Sequence, residues 1–385
     1  MDLARARKLL LIAFLLGTTL PLGASAQDRV ERLLQQLSEA SAPPGYEGPV
    51  RAIMINAMRP FVSGFTYDGL GSVIGSQGNV GPRIMLDAHM DEVGAVVRRV
   101  TPSGFISIQM LGGWLDQELA DQRWVISTSR GPVYAISGIR DIHETPNSEL
   151  LKLVARDQMF LDVGADSGTS AGALGISPGD PVSPYSPFTV LNGSRRYIGK
   201  AFDDRAGCAV LVEVLRRLAS EPHPNQLFAA ATVQEETGLR GAHTAAHLVH
   251  PDVGIAIEGG VTADLPNSQA DESQSRLRGG PAIFLYNHFE QPNQRLVSLI
   301  RRVAKEENIR LQFDLVEKYG DDSAEMQSAG DGAPTICIAI PVRYMHAHNG
   351  VLDREDFDRT VELVVALIKR LDAGAVASLK DFSSG

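Results

Sequence analysis

Gln226-Leu227-Phe228-Ala229-Ala230-Ala231-Thr232-Val233 is an almost wholly apolar run, and it stops abruptly at Gln234-Glu235-Glu236. Such a run between helical patterns at about 205–219 and 240–249 predicts a strand buried on both faces. The same alternation continues outward. Strands are expected at 83–88, 253–257 and 335–340, and helices near 30–37, 49–58, 293–307 and 354–371. This predicts an α/β fold, a mainly parallel mixed sheet sandwiched by helices, in which sites form where strands end.

From about residue 94 to 192 the texture changes to short alternating segments such as Phe105-Ile106-Ser107-Ile108 and Trp124-Val125-Ile126-Ser127, closely punctuated by Gly and Pro. A small β-barrel-like domain inserted into the main one is the expected result. At the start, Arg5, Arg7 and Lys8 precede an apolar run from Leu9 to Leu16 and the small-residue pattern Ala24-Ser25-Ala26. That is the pattern of a cleaved secretory leader, too short and too broken to span a bilayer. The expected organisation is therefore a signal peptide over 1–26, a catalytic domain over 27–93 and 193–385, and an inserted domain over 94–192. A secreted or periplasmic location follows from the leader.

The chain has 385 residues, is 44% hydrophobic and 21% charged, and carries a net charge of −10, so it has ample material for a core. Its acidic balance disfavours nucleic acid, and no later segment reads as membrane-spanning. Cys208 and Cys337 each sit in an apolar run, where a free thiol packs as a small hydrophobe; one bridge between them remains open.

Each expected strand end carries a side chain able to bind metal. His89 and Asp91 follow the strand at 83–88 with a spacing of two, so the carboxylate is placed to orient the imidazole. Asp203 and Asp204 lie at a helix start, where N-capping is the alternative role. Glu235 and Glu236 abut an apolar strand, a costly place for two carboxylates unless they are paired or bound to metal. Glu258 follows 253–257, and His346 follows 335–340. Together these suit a two-metal site with one bridging carboxylate. His243, His247 and His250 share one helical face but lack the glutamate of a metalloprotease helix. Gly-x-Ser-x-Gly occurs at 168–172 and 175–179, both inside the segment read as the inserted β domain and not at the end of a strand of the main sheet. Neither therefore reads as a nucleophile elbow, and no P-loop ending occurs.

In order and context, Ala88-His89-Met90-Asp91-Glu92-Val93-Gly94, the segments 200–207 and 234–242, and Pro341 to His346 resemble the tetrahedral glutamyl-aminopeptidase family of dinuclear metallopeptidases, FrvX-like and formerly called cellulase M. Looser similarity runs through 161–165 and 174–180. The resemblance implies His89, Asp203, Glu236, Glu258 and His346 as metal ligands, with Asp203 bridging, Glu235 as general base and Asp91 orienting His89. Glu258 departs from the family, where Asp is expected. Two divalent cations, zinc or cobalt foremost, would serve peptide hydrolysis from a free N-terminus. The inserted domain would mediate homo-oligomerisation, from a dimer up to a tetrahedral dodecamer. An N-acyl deacylase on the same metals and a non-catalytic metal-binding scaffold stay open as alternatives; a glycoside hydrolase would need no such histidines.

Overall fold

The computed structural model describes residues 27–266, 268 and 274–383; the expected leader lies outside the described residues. An 11-stranded mixed sheet forms the centre. Four parallel strands make its heart, in the order Gln226–Thr232, Arg83–His89, Val253–Val261 and Thr335–Arg343. On one side Val73–Gln77 and Gly64–Tyr67 continue the sheet antiparallel, and on the other Gly350–Asp353, Arg196–Gly199 and Thr189–Val190 do the same. Ala282–Asn287 and Gln312–Val316 branch from Thr335–Arg343. Parallel pairing occurs where helical crossovers join the strands, at the centre and between the two branch strands Ala282–Asn287 and Gln312–Val316; the short link from Arg343 to Gly350 permits only an antiparallel return.

Alternation along the central strands sorts side chains by size. Ile84, Leu86, Ile255, Ile257, Ile336, Ile338 and Ile340 face the main core, packed by the helices Arg29–Glu39, Gly48–Met58, Phe202–Leu218, Gln294–Glu306 and Arg354–Ile368. The intervening Met85, Ala230, Ala256, Cys337 and Ala339 face a thinner layer closed by Arg240–Val249 and Ser323–Ser328. Small side chains there let those helices approach closely. Cys208 lies in the first layer and Cys337 in the second, and both are free and buried. The sheet between them excludes a bridge.

Two strands run further than their apolar content predicts. Val253–Val261 continues through Gly259 and Gly260, which pair with Ile340 and Pro341, and Thr335 continues to Arg343. Glu258 therefore lies within a strand instead of following it. Glycine normally weakens a strand, but a Cβ on Gly259 would lie 3.0 Å from Asp203 Cβ, so its bareness admits the turn that carries Asp203.

The inserted segment closes into a six-stranded barrel in the order Gly94–Val100, Ile106–Leu111, Phe160–Asp162, Gly131–Gly138, Arg123–Thr128 and Pro181–Pro184, the last pairing back with the first. Val97, Ile106, Trp124, Ile126, Leu161 and Val182 fill it as a second core. Closure removes every free edge from this small sheet. Among the described residues no helix is long and apolar enough to cross a membrane.

Candidate metal centre

The five expected ligands and the expected base converge at the carboxyl ends of the central parallel strands. His89 is the last residue of its strand, Glu235 and Glu236 stand in the turn after Gln226–Thr232, and Glu258 projects from Val253–Val261. Asp203 precedes regular helix: Ala201 is left-handed at φ +55°, Asp203 and Asp204 are non-helical, and helical geometry starts at Arg205. Asp204 Oδ1 then accepts the Gly207 N–H, as a helix cap does. A Cβ on Gly207 would lie 2.4 Å from that carboxylate, which explains the glycine. His346 (φ +55°), Tyr344 (φ +60°) and Gln234 (φ +56°) are also left-handed. Such strain in non-glycine residues concentrates at functional sites.

Asp203 stands between two groups of donors. Its Oδ1 is 3.3 Å from His89 Nε2, and its Oδ2 is 3.1 Å from His346 Nε2. Glu258 Oε2 lies 3.6 Å from His89 Nε2, and Glu236 Oε2 lies 3.6 Å from His346 Nε2. Two compact trios result, His89–Asp203–Glu258 and Asp203–Glu236–His346, which share one carboxylate. Glu235 Oε2 is 3.8 Å from His89 Nε2 and belongs to neither trio, although it closes a third with His89 and Glu236.

The local charge is unbalanced. Burial pushes the Glu235 and Glu258 carboxyls well above the usual range, against the pull of His89, with Glu236 and Asp204 adding repulsion. Burial likewise raises Glu236 to about 7, against the pull of His346. Burial opposes charge on His346 too, but Glu236 and Asp203 hold its imidazole up at about 10. Glu236 Oε1 and Glu258 Oε1 are buried without a hydrogen-bond partner. Unpartnered buried carboxylate oxygens beside clustered imidazoles are the donor set that a divalent cation requires, so the residues fit the implied metals.

Supporting groups fix this arrangement. His89 Nδ1 lies 3.2 Å from the Asp91 carbonyl and 3.6 Å from its carboxylate. The Asp91 carboxylate also accepts the Glu235 and Glu236 N–H groups, each at 3.1 Å, so it holds the neighbouring turn as well as the imidazole. Lys200 Nζ donates to both Glu92 oxygens at 2.6 Å, and Arg205 donates to the carbonyls of Leu37, Ala40 and Ala42. These buried charges tie the end of the His89 strand to the Asp203 turn. The barrel reaches in through Gly112 and Gly113. A Cβ there would lie 3.0 Å from Glu236 Oε2 or 3.2 Å from His346 Nδ1, respectively.

Sequence reasoning did not find the amide contacts of Asp91, the Glu92–Lys200–Arg205 lock or the barrel glycines. The acidic-basic pattern of 91–92 and 200–205 was visible, but the pairing requires knowledge of which segments meet. Other histidines stand apart from the trios. His348 is buried against Trp114 and Trp124, His243 contacts Glu325 on an exposed helix face, and His143 contacts Asp141 on the surface.

A helix-covered sheet whose parallel strands end in this cluster, with a closed barrel beside it, is the architecture of an α/β peptidase. Residues 71–363 match the M42 glutamyl aminopeptidase family, and the chain belongs to that family. It is 34% identical over 91% of its length, and 98% of the relative's, to FrvX of Escherichia coli (strain K12), an aminopeptidase by name. It superposes with TM-score 0.89 and 38% identity on a TET aminopeptidase of the marine archaeon Thaumarchaeota archaeon SCGC AB-539-E09, covering 91% of this chain and 99% of that one. The TET1 peptidase of Pyrococcus horikoshii, which assembles into a tetrahedron or a large octahedral shell, gives TM-score 0.79 at 26% identity over 89% of this chain and 100% of its own.

Proposed function

We propose that the protein is an exported, metal-dependent aminopeptidase that removes residues from the free N-termini of peptides. The observation that carries this reading is the Asp203 carboxylate, whose two oxygens each face a separate imidazole and carboxylate. His89, Asp203 and Glu258 would hold one divalent cation, and Asp203, Glu236 and His346 a second, with zinc or cobalt suited to the mixed nitrogen and oxygen donors. When bound, the pair would supply Lewis acidity toward the scissile carbonyl and toward water. Glu235 is the general base: its Oε2 accepts the proton of the attacking water and returns it to the departing amine. Asp91 aims the His89 imidazole through Nδ1 and holds the Glu235 and Glu236 amides. Glu258 has one methylene more than the Asp expected of the family, and its Oε2 reaches to 3.6 Å of His89 Nε2.

Export rests on the leader pattern over residues 1–26. The barrel is the surface proposed for contact between copies, in line with the shells built by the P. horikoshii relative. The test is release of the first residue from matched free-amine and N-acetyl peptides, before and after chelation and on adding back zinc or cobalt. Chelator-sensitive cleavage confined to the free-amine set supports the reading. Cleavage confined to the N-acetyl set replaces it with a deacylase.

A further inference from the structure

Three consecutive amides, those of Gln234, Glu235 and Glu236, donate to carboxylates. Asp91 takes the last two, and Glu47 Oε1 takes the first at 3.2 Å. With Gln234 left-handed at φ +56°, the turn presents successive N–H groups to one side, the kind of concavity that binds anions. Here two side chains of the protein fill it. From the other side the turn is closed by its own backbone, with Gly238 and Leu239 N–H donating to the Glu235 carbonyl and Arg240 N–H to that of Gln234.

Glu47 comes from a distant part of the chain. It occupies the N-cap position of the helix Gly48–Met58, yet its carboxylate caps nothing in that helix. It is 2% exposed, lies close enough to Asp91 for their charges to repel, and its Oε1 also accepts the Gly45 N–H at 2.7 Å. A carboxylate turned away from its own helix and buried beside a second carboxylate is an expensive placement. Its return is control over the turn that carries Glu235 and Glu236.

We infer that Glu47 is a positioning residue: by holding the Gln234 amide it sets the turn that aims the Glu235 carboxylate. The inference rests on the role proposed above for Glu235 but concerns a residue outside the metal trios. Reach, not charge, is what the contact needs. Glu47→Gln keeps an acceptor oxygen at the same distance, whereas Glu47→Asp keeps the charge and falls a methylene short.

The test combines hydrogen exchange over residues 233–241 with steady-state kinetics on a free-amine peptide, using the full mature chain. Glu47→Ala and Glu47→Asp are expected to exchange about tenfold faster in that segment. Their kcat should fall roughly ten- to a hundredfold with KM within about twofold, because a displaced base costs rate more than ground-state binding. Glu47→Gln should restore both. Faster exchange limited to residues 43–51 with unchanged kcat would overturn the inference, leaving Glu47 as a support for its own loop. So would a Glu47→Asp variant that behaves like wild type. If Glu47→Ala does not fold, the Asp and Gln variants carry the comparison. Should wild type cleave no peptide, the aminopeptidase reading fails, and the exchange measurement alone still decides whether Glu47 holds the turn.

Discussion

Replacing Lys200 by Met should destabilise the protein by more than the pair it breaks ever contributed. Lys200 Nζ meets both oxygens of Glu92 at 2.6 Å and the Ala40 carbonyl at 2.8 Å, and the two side chains are 3% and 1% exposed. In Lys200→Met the Glu92 carboxylate keeps only the Ala42 N–H at 3.0 Å and Arg205 at 3.6 Å. Orphaning one member of a buried ion pair costs about 3–5 kcal/mol. Because Arg205 stays close, the lower end applies, and at about 1.3 °C per kcal/mol for a chain of this size the melting temperature should fall by about 4 °C. The double variant Glu92→Gln/Lys200→Met removes that carboxylate but should recover only part of the loss, because the buried Arg205 then keeps just its carbonyl partners. Calorimetry at pH 7 in low and high salt is the assay, with little salt dependence expected for so buried a pair. A single variant that melts within about 1 °C of wild type, or a double variant no better than the single, would refute the reasoning.

Further outcomes follow from the site and the core. Glu235→Gln should keep its cations by elemental analysis yet lose on the order of 100- to 10,000-fold in kcat, and near-normal turnover would remove Glu235 from the role of base. Asp203→Asn should weaken both cation-binding events in a titration of the metal-free protein, since its oxygens face different trios, whereas Glu258→Gln should weaken chiefly the one at His89. Loss of a single event in Asp203→Asn would show that it does not bridge. Burial and the nearby Asp321 push the Glu290 carboxyl up to about 8. An acid whose pKa is higher folded than unfolded costs the fold nothing below its unfolded value of 4.5, and the cost grows as pH rises through about 8. Glu290→Gln should therefore flatten the decline in melting temperature between pH 5 and pH 9, and an unchanged slope would place that decline elsewhere.

Periodicity carried much of the fold. Long apolar runs bounded by helical spacing located the four central strands, because strands buried on both faces need no alternation to be recognised. The barrel was legible as texture, since short strands closed by Gly and Pro have few other folds open to them. The antiparallel margins were less visible: Thr189–Val190 and Gln312–Val316 are short, partly exposed and weakly patterned. Gly259 and Gly260 concealed the continuation of the Val253 strand, because a glycine that makes room for Asp203 has the same appearance in sequence as one that ends a strand.

At the site, residues that interrupt apolar strands were conspicuous because a carboxylate there demands a reason. Glu47 gave no such signal. It follows a Pro-Pro-Gly-Tyr turn and begins a helix, an ordinary place for an acid, and only the fold brings it to Gln234. Nor does the sequence around Lys200 and Arg205 reveal that Glu92 and the carbonyls of 37–42 enclose them.

The central claim is that Asp203 bridges two cations at the ends of the parallel strands. Anomalous diffraction from crystals of the zinc- or cobalt-loaded protein tests it directly. Two peaks are expected, about 3.5–4 Å apart, one beside Asp203 Oδ1 with His89 and Glu258 and the other beside Oδ2 with His346 and Glu236. A single peak, or peaks remote from Asp203, would contradict the account.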